Sequence, residues 1–381
     1  MHLGLVIHGG LDRLSGGFLY DRMLVQHLQA SGWRVDVFAL PWGSYLSSLA
    51  LNLSAQLLSE IESSSIDLLV EDELSHPALF ALNRGVRRHI QIPIVSVVHH
   101  LRSDEGRSAW MNPFYRVLER TYLRGVDAAV CNSLATQRSL EALLDRRLPS
   151  VVAHPGRDPI LPEIDPEQIR TRAIAAGPLK VVFLGNVIPR KGLLVLVEAL
   201  SSVSAGDWRL EIIGDLTADP SHTRRLRRAI EQAGVADRVN LAGRLDGAAL
   251  GRRLMECHVM VVPASYEGFG IAYLDGMAYG LPALATTAGG AGELVRHGHN
   301  GYLIPPNDAQ GLAAGLVSLM KDRRTLAKMG LAALETYRSH PTWSESAELV
   351  RRFLFDLRGD VSRFAMAGRR SPYLRARGGS P

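Results

Sequence analysis

Residues 263–282, PASYEGFGIAYLDGMAYGLP, form the stretch of the chain richest in side chains that could do chemistry. It starts at a strand end, passes through a loop holding Glu267, Gly268, Phe269 and Gly270, and enters a helix near Gly270 and Ile271. That helix should stop around Gly280 and Pro282. Glycines at such a turn let a ligand approach the backbone closely. The free amides and positive dipole end of the new helix suit an anion. Glu267, at the mouth, can accept hydrogen bonds from sugar hydroxyls. Asp275, a little over one turn into the helix, can face the same side. A strand–turn–helix whose acids merely cap the helix would give the same local pattern.

Three further groups have suggestive spacing. His99 and His100 end a strand and point in opposite directions if the strand continues, so one of the two enters a site at that edge. A surface or hydrogen-bonded core histidine is the plainer reading of either. Glu71, Asp72 and Glu73 end another strand, either as binders of hydroxyl groups or as a solvated acidic loop. Arg116, Arg120 and Arg124 recur at helical spacing as a basic stripe, which suits peripheral contact with an anionic membrane or a solvated face.

Such residues need a scaffold that repeatedly ends a strand and begins a helix at one edge, and the chain supplies it twice. Strands are expected at 3–8, 34–40, 67–71, 94–99, 128–131 and 150–154, with helical patterns near 18–30, 46–61, 77–89, 113–123 and 136–144. This alternation predicts βαβ units and a parallel sheet covered on both faces. Residues 155–178 hold five prolines and little strand signal, and read as the crossing between domains. A second alternation follows, with strands at 180–185, 209–214, 239–242, 259–262 and 283–285, then helical patterns at 309–320, 323–337 and 343–357. The fold class is therefore α/β, with an N-terminal Rossmann-like domain over 1–165 and a second over 166–340. A helix over 341–358 is expected to pack back across both, and 359–381 to be a basic flexible tail. Ligands of doubly wound sheets gather at the carboxyl ends of the strands, so two facing sheets would make one deep cleft.

Five pieces together give the chain a resemblance. The 263–282 segment is similar to the E-x7-E signature of the retaining glycosyltransferases of the glycosyltransferase-4 family, which have the GT-B fold. Residues 185–192, GNVIPRKG, resemble that family's G-R-x-x-x-x-K-G donor-phosphate loop. Residues 288–295, AGGAGELV, with 298–301, GHNG, resemble its G-G-x-x-E-x-V and G-x-N-G stretches. Ser15, Gly16 and Gly17 resemble the N-terminal glycine loop that faces the donor diphosphate, and 154–158, HPGRD, the step between the domains. The resemblance covers nearly the whole chain. It implies a metal-independent enzyme without a cofactor, with a nucleotide-diphosphate sugar (UDP-, GDP- or ADP-linked) as donor substrate and a small-molecule, glycan or lipid acceptor. It implies donor contacts at Gly16, Gly17, Asn186, Arg190, Lys191, Glu267, Gly268, Phe269, Gly270, Ile271 and Asp275, and catalytic roles for Glu267, Lys191 and one of His99 and His100. Transfer would proceed on one face of the sugar, with the leaving phosphate helping to deprotonate the acceptor.

The physical chemistry of these pieces agrees. A departing diphosphate gains negative charge in the transition state, where electrostatic stabilisation acts. Lys191 beside Gly192 at a helix start is a point charge at a phosphate cradle. The chain departs from the pattern twice. Asn186 stands where the family has arginine, with Arg190 as the available substitute, and Asp275 replaces the later glutamate with one methylene less reach. No D-x-D triplet, the signature of metal-dependent transferases, is present.

Composition narrows the alternatives. Hydrophobic residues make up 46% and charged residues 21%, ordinary for a globular protein. Cys131 and Cys257 lie far apart and read as small buried apolar residues. The formal charge is +5, and residues 359–381 carry five arginines against one acid. The folded part is therefore nearly neutral, which argues against nucleic-acid binding. No leader or membrane-length apolar run is apparent, so the expected location is cytoplasmic, with a peripheral contact at the inner membrane face as an added option. An epimerase or hydrolase of nucleotide sugars on the same architecture, and a non-catalytic sugar-nucleotide sensor, are the competing functions. A dinucleotide dehydrogenase is disfavoured because 8–17, HGGLDRLSGG, lacks the G-x-G-x-x-G spacing.

Overall fold

The computed structural model describes residues 1–12, 15–105, 111–158, 164–204, 207–245 and 247–366, with side chains described as far as Arg358. The chain divides into two compact units. The first comprises Met1–Gly156 together with Pro341–Pro381, and the second comprises Arg157–His340. The first change of unit thus falls at 156/157 rather than at the expected 165/166. Arg157 donates from Nε to the His340 carbonyl at 2.8 Å, so the second unit begins and ends at one place.

The first unit is built on strands β1 (His2–His8), β2 (Arg34–Leu40), β3 (Leu68–Asp72), β4 (Ile94–Val98), β5 (Ala128–Cys131) and β6 (Ser150–Val152). They form one sheet in the order β2-β1-β3-β4-β5-β6, parallel throughout. The central strands β3, β4 and β5 are buried along their whole length. That burial explains their unbroken apolar runs, since a parallel sheet is covered on both faces. The expected helix over 46–61 is divided into Tyr45–Ala50, a 3-10 turn and Ala55–Ser63, because Ser54 caps the second piece. Cys131 and Cys257 are buried free thiols, as read from their types.

The second unit is built on β7 (Leu179–Leu184), β8 (Trp208–Ile213), β9 (Val239–Gly243), β10 (Val259–Val261), β11 (Ala283–Thr286) and β12 (Gly301–Ile304). Their order is β12-β11-β10-β7-β8-β9, again parallel throughout. The crossing expected over 155–178 contains a helix, Pro166–Ile174. Asp165 and Gln168 close a capping box around its start, with Pro166 in the first turn. β12 was not foreseen, because its residues follow directly on a glycine-rich turn.

The last helix, Trp343–Met366, belongs to the first unit. His27 on helix Gly16–Ala30 pairs with its Glu348 at 3.2 Å, and the Trp343 ring packs 6.0 Å from Tyr20. The flexible tail expected from 359 is corrected in its first part, since the helix runs on to Met366. Residues 367–381 lie outside the described residues. Among those described, no helix is long and apolar enough to cross a membrane.

Candidate functional site

In the second unit, the loops after β7 and β10 meet. The turn after β7 carries Pro189, Arg190 and Lys191 and ends on Gly192 in a left-handed conformation (φ 74°), which begins helix Leu193–Ser201. A side chain at Gly192 would collide with the Pro263 carbonyl, so only glycine lets the two loops touch backbone to backbone. Ser265 donates its amide to the Arg190 carbonyl at 2.8 Å and fastens the contact.

Both cations of the turn point at one carboxylate. Lys191 Nζ lies 2.6 Å from Glu267 Oε2. Arg190 lies 3.8 Å from the same oxygen and donates to the Tyr266 carbonyl at 2.7 Å. Arg190 therefore faces the same loop as Lys191, the geometry needed if it substitutes for the arginine missing at Asn186. Burial pulls the Lys191 ammonium below its ordinary pKa, although the Glu267 charge opposes the shift. Asn186 is half-buried just after β7, and its carbonyl accepts from the Ile188 amide at 3.0 Å.

Glu267 is held from the other side as well. Its amide donates to the Ala288 carbonyl (3.3 Å), and its carbonyl accepts from the Gly290 amide (2.8 Å). The loop then passes through buried Gly268 and Phe269 to Gly270, the N-cap of helix Ile271–Ala278. Asp275 lies on that helix, half-buried, and its carboxylate has no hydrogen bond or ion pair among the described residues. Burial, with the nearby Asp158 charge second, pushes its carboxyl up to about 7. Asn300 of the GHNG stretch is fully buried and bonds to the Leu294 carbonyl and the Thr336 hydroxyl. That asparagine is a fastener of the loop.

In the first unit the structure separates the two histidines. β4 ends at Val98, before both. His99 turns inward and is buried, with Nε2 3.2 Å from Asp21 Oδ1. Burial would lower its pKa, but Asp21, then Asp72 and Glu73, outweigh that cost and hold it up to about 9. His100 is half-buried and pairs with Glu105 at 2.8 Å. Gly16 and Gly17 open helix Gly16–Ala30. A Cβ on Gly17 would stand 3.0 Å from the His99 ring, so this glycine makes room for the buried histidine.

Burial overturns the solvated-loop reading of Glu71, Asp72 and Glu73. All three are buried, and desolvation raises their carboxyls to about 7, 8 and 7. Two groups here could hold a metal ion by donor type: Asp21, Asp72 and His99, and Glu73, His76 and Glu119. In each, the ligand atoms lie within 4.8 Å of one another. Asp21, His76 and Glu119 were missed as neighbours of these groups. Only the fold brings them there, and no local motif marks them.

Comparison with known proteins fits this geometry. Residues 165–336 match the family described as glycosyl transferases group 1. The D-inositol 3-phosphate glycosyltransferase of Stackebrandtia nassauensis is 31% identical over 275 residues, 68% of this chain and 60% of that protein. The GDP-mannose-dependent alpha-(1-6)-phosphatidylinositol monomannoside mannosyltransferase of Mycobacterium tuberculosis is 28% identical over 52% of this chain and 55% of its own length. The chain spans 41%, 49% and 60% of the length of the first curated relatives it matches. Among solved structures, a sucrose-phosphate synthase from Thermosynechococcus elongatus superposes with a TM-score of 0.76 at 19% identity, covering 97% of this chain and all of that one. Anabaena HepE in complex with UDP-glucose gives 0.75 at 20% identity, covering 94% and 100%. These likenesses, with the two six-stranded parallel sheets, make the fold GT-B. Residues 165–336, which make up most of the second unit, are thus a glycosyl transferases group 1 segment.

Proposed function

We propose that the chain is a retaining glycosyltransferase, moving a hexose-type sugar from a nucleotide-diphosphate sugar to an acceptor hydroxyl without a metal at the diphosphate. The observation that carries this reading is the convergence of Lys191 and Arg190 on Glu267 at the start of helix Leu193–Ser201. A diphosphate entering there takes over the cations that Glu267 now holds, and frees that carboxylate to accept from sugar hydroxyls. Asp275, with no partner among the described residues, supplies an acceptor for ribose hydroxyls. As the bond from the anomeric carbon to the diphosphate breaks, the acceptor oxygen bonds to that carbon on the same face. Its proton passes to the departing phosphate oxygen. Lys191, Arg190 and the amides of the glycine loop meet the charge that grows there. His99 is assigned a place beside the sugar, with His100 as the other candidate, and Gly16 and Gly17 as donors of amides.

The choice among UDP, GDP and ADP sugars belongs to the same proposal, and the complexes of HepE with UDP and UDP-glucose favour testing UDP first. The cytoplasm is the proposed location, with contact at an anionic membrane face. The test is turnover by the purified chain on a panel of nucleotide sugars, with and without candidate acceptors. Lys191→Ala and Glu267→Ala should each lower turnover at least about tenfold while the fold survives. Near-normal rates in both variants would sink the assignment. Conversion of the donor without any acceptor would indicate an epimerase or hydrolase instead.

A further inference from the structure

Three side chains that the proposed reaction does not use meet inside the first unit. Glu73 and His76 come from the turn Glu73–Ser75 and the helix His76–Leu79, which follow β3 directly, and Glu119 comes from helix Asn112–Leu123. Glu73 and Glu119 are 0% exposed and His76 is 2% exposed. One ring nitrogen of His76 and one oxygen of each carboxylate lie within 4.8 Å of one another. Three atoms so spaced share a centre within about 2.8 Å of each, whereas zinc takes nitrogen and oxygen ligands at about 2.0–2.2 Å. Side-chain movement of less than about 1 Å therefore closes the triangle around an ion.

Glu73 is the group that points to an occupant. Both of its carboxylate oxygens are buried without a hydrogen-bond partner among the described residues. Oε1 stands 3.0 Å from His76 Nδ1, but the Glu73 carbonyl, at 2.9 Å, is the acceptor placed to take any proton on that nitrogen. Glu73 forms no other ion pair among the described residues. The Arg102 guanidinium lies over the Tyr45 ring, 5.0 Å from its centroid, and pairs with neither glutamate. It and the His99 ring attract Glu73 only from longer range. Glu119 accepts from the Arg102 amide at 2.5 Å and from the Ser103 amide at 3.3 Å, and amide bonds leave its net charge in place. Buried charges are ordinarily paired or bound to a metal. The neighbouring group differs in this respect, since His99 already pairs with Asp21 at 3.2 Å.

His76 has the setting of a metal ligand. Its Nε2 lies 2.9 Å from the Tyr45 hydroxyl. With the proton on Nε2 and donated there, the ring is fixed and the Nδ1 lone pair faces Glu73 Oε1. Metal-bound histidines are oriented through their second nitrogen in this way. One imidazole nitrogen with two carboxylate oxygens suits zinc, whereas magnesium and calcium favour oxygen alone. The two carboxylates also match the charge of a divalent ion. We propose that Glu73, His76 and Glu119 bind one zinc ion, with water as fourth ligand, which ties the turn after β3 to helix Asn112–Leu123. The ion is a fastener of the first unit, whereas the Lys191 loop belongs to the second.

The test uses the untagged full chain, stripped with a chelator, given excess zinc and desalted. Elemental analysis should find about one zinc per chain. Zinc, and not magnesium, should raise the melting midpoint by several degrees. Glu73→Gln and Glu119→Gln keep the side-chain shape and remove a ligand charge. Each should lower the retained zinc at least about tenfold and abolish the thermal rise. Asp21→Asn should keep both, because it belongs to the neighbouring group. Cobalt in place of zinc should give the visible absorption of a four-coordinate site, a readout on the parent that stands even if a variant fails to fold. A parent that retains no zinc, or a cobalt spectrum of the hydrated ion, overturns the proposal. So does retention that survives both glutamine substitutions, or that only Asp21→Asn removes.

Discussion

Asp275→Asn should make the second unit more resistant to heat while weakening its hold on a nucleotide sugar, and the thermal gain should depend on pH. Burial first, and Asp158 second, raise the Asp275 carboxyl from an ordinary 3.8 to about 7. A carboxyl whose pKa rises on folding favours the folded state while protonated. That contribution is complete below about 3.8 and is lost as pH climbs through about 7. At pH 8 the folded unit must hold an ionised group that the unfolded chain hydrates freely. At roughly 1.4 kcal/mol per factor of ten, the difference sets an upper bound of about 4 kcal/mol. The side chain is partly exposed, and solvent screening reduces this to about 1–2 kcal/mol. For a unit of this size, each kcal/mol moves the midpoint by about 2–4 °C. The Asn variant should therefore melt roughly 2–8 °C above the parent at pH 8, and show well under half that gain at pH 5. Scanning calorimetry at the two pH values measures the effect, and titration with nucleotide sugars at pH 8 measures the accompanying loss of affinity. A variant that melts at or below the parent at pH 8, or gains equally at both pH values, refutes the reasoning.

Two other perturbations test one loop in each unit. Gly192→Ala forces a left-handed backbone and a side chain against the Pro263 carbonyl; urea unfolding should show a loss of about 2–4 kcal/mol, with turnover falling alongside. Asp21→Asn removes the strongest support of the charged His99 ring; its NMR titration midpoint should drop from about 9 by at least about one pH unit. The sign for stability follows, because a raised imidazole pKa contributes below about 6.5 and fades as pH rises through about 9. The parent should therefore lose stability across that window faster than the Asn variant does.

Strand positions were legible because parallel strands buried on both faces must be apolar along their length, and β5 falls where its run placed it. The loops that carry Lys191 and Glu267 were legible for a similar reason. Glycines and a lysine at a strand–helix junction are tied to local geometry, and Lys191 meets Glu267 at 2.6 Å. The first unit was harder. Whether Glu71, Asp72 and Glu73 face water depends on what packs over them, and a run of three acids reads as exposed unless the fold is known. That His99 is the buried member of the two histidines turned on Asp21, distant in sequence and marked by no motif. Helix Pro166–Ile174 was different: Asp165, Pro166 and Gln168 signalled its start, but the surrounding prolines hid it. β12 was hidden by brevity, four residues after a turn.

The bond from Arg157 to the His340 carbonyl closes the second unit into a loop-out of the first, and this has a consequence for birth on the ribosome. The first unit cannot be complete until helix Trp343–Met366 emerges, after every residue of the second has been synthesised. The second unit is continuous and can close as soon as His340 leaves the exit tunnel. The later-numbered half of the molecule is thus free to mature first, while the earlier half waits with the sites of its last helix bare. Truncation near the C-terminus would therefore injure the N-terminal sheet, far away in sequence, and spare the nearer one.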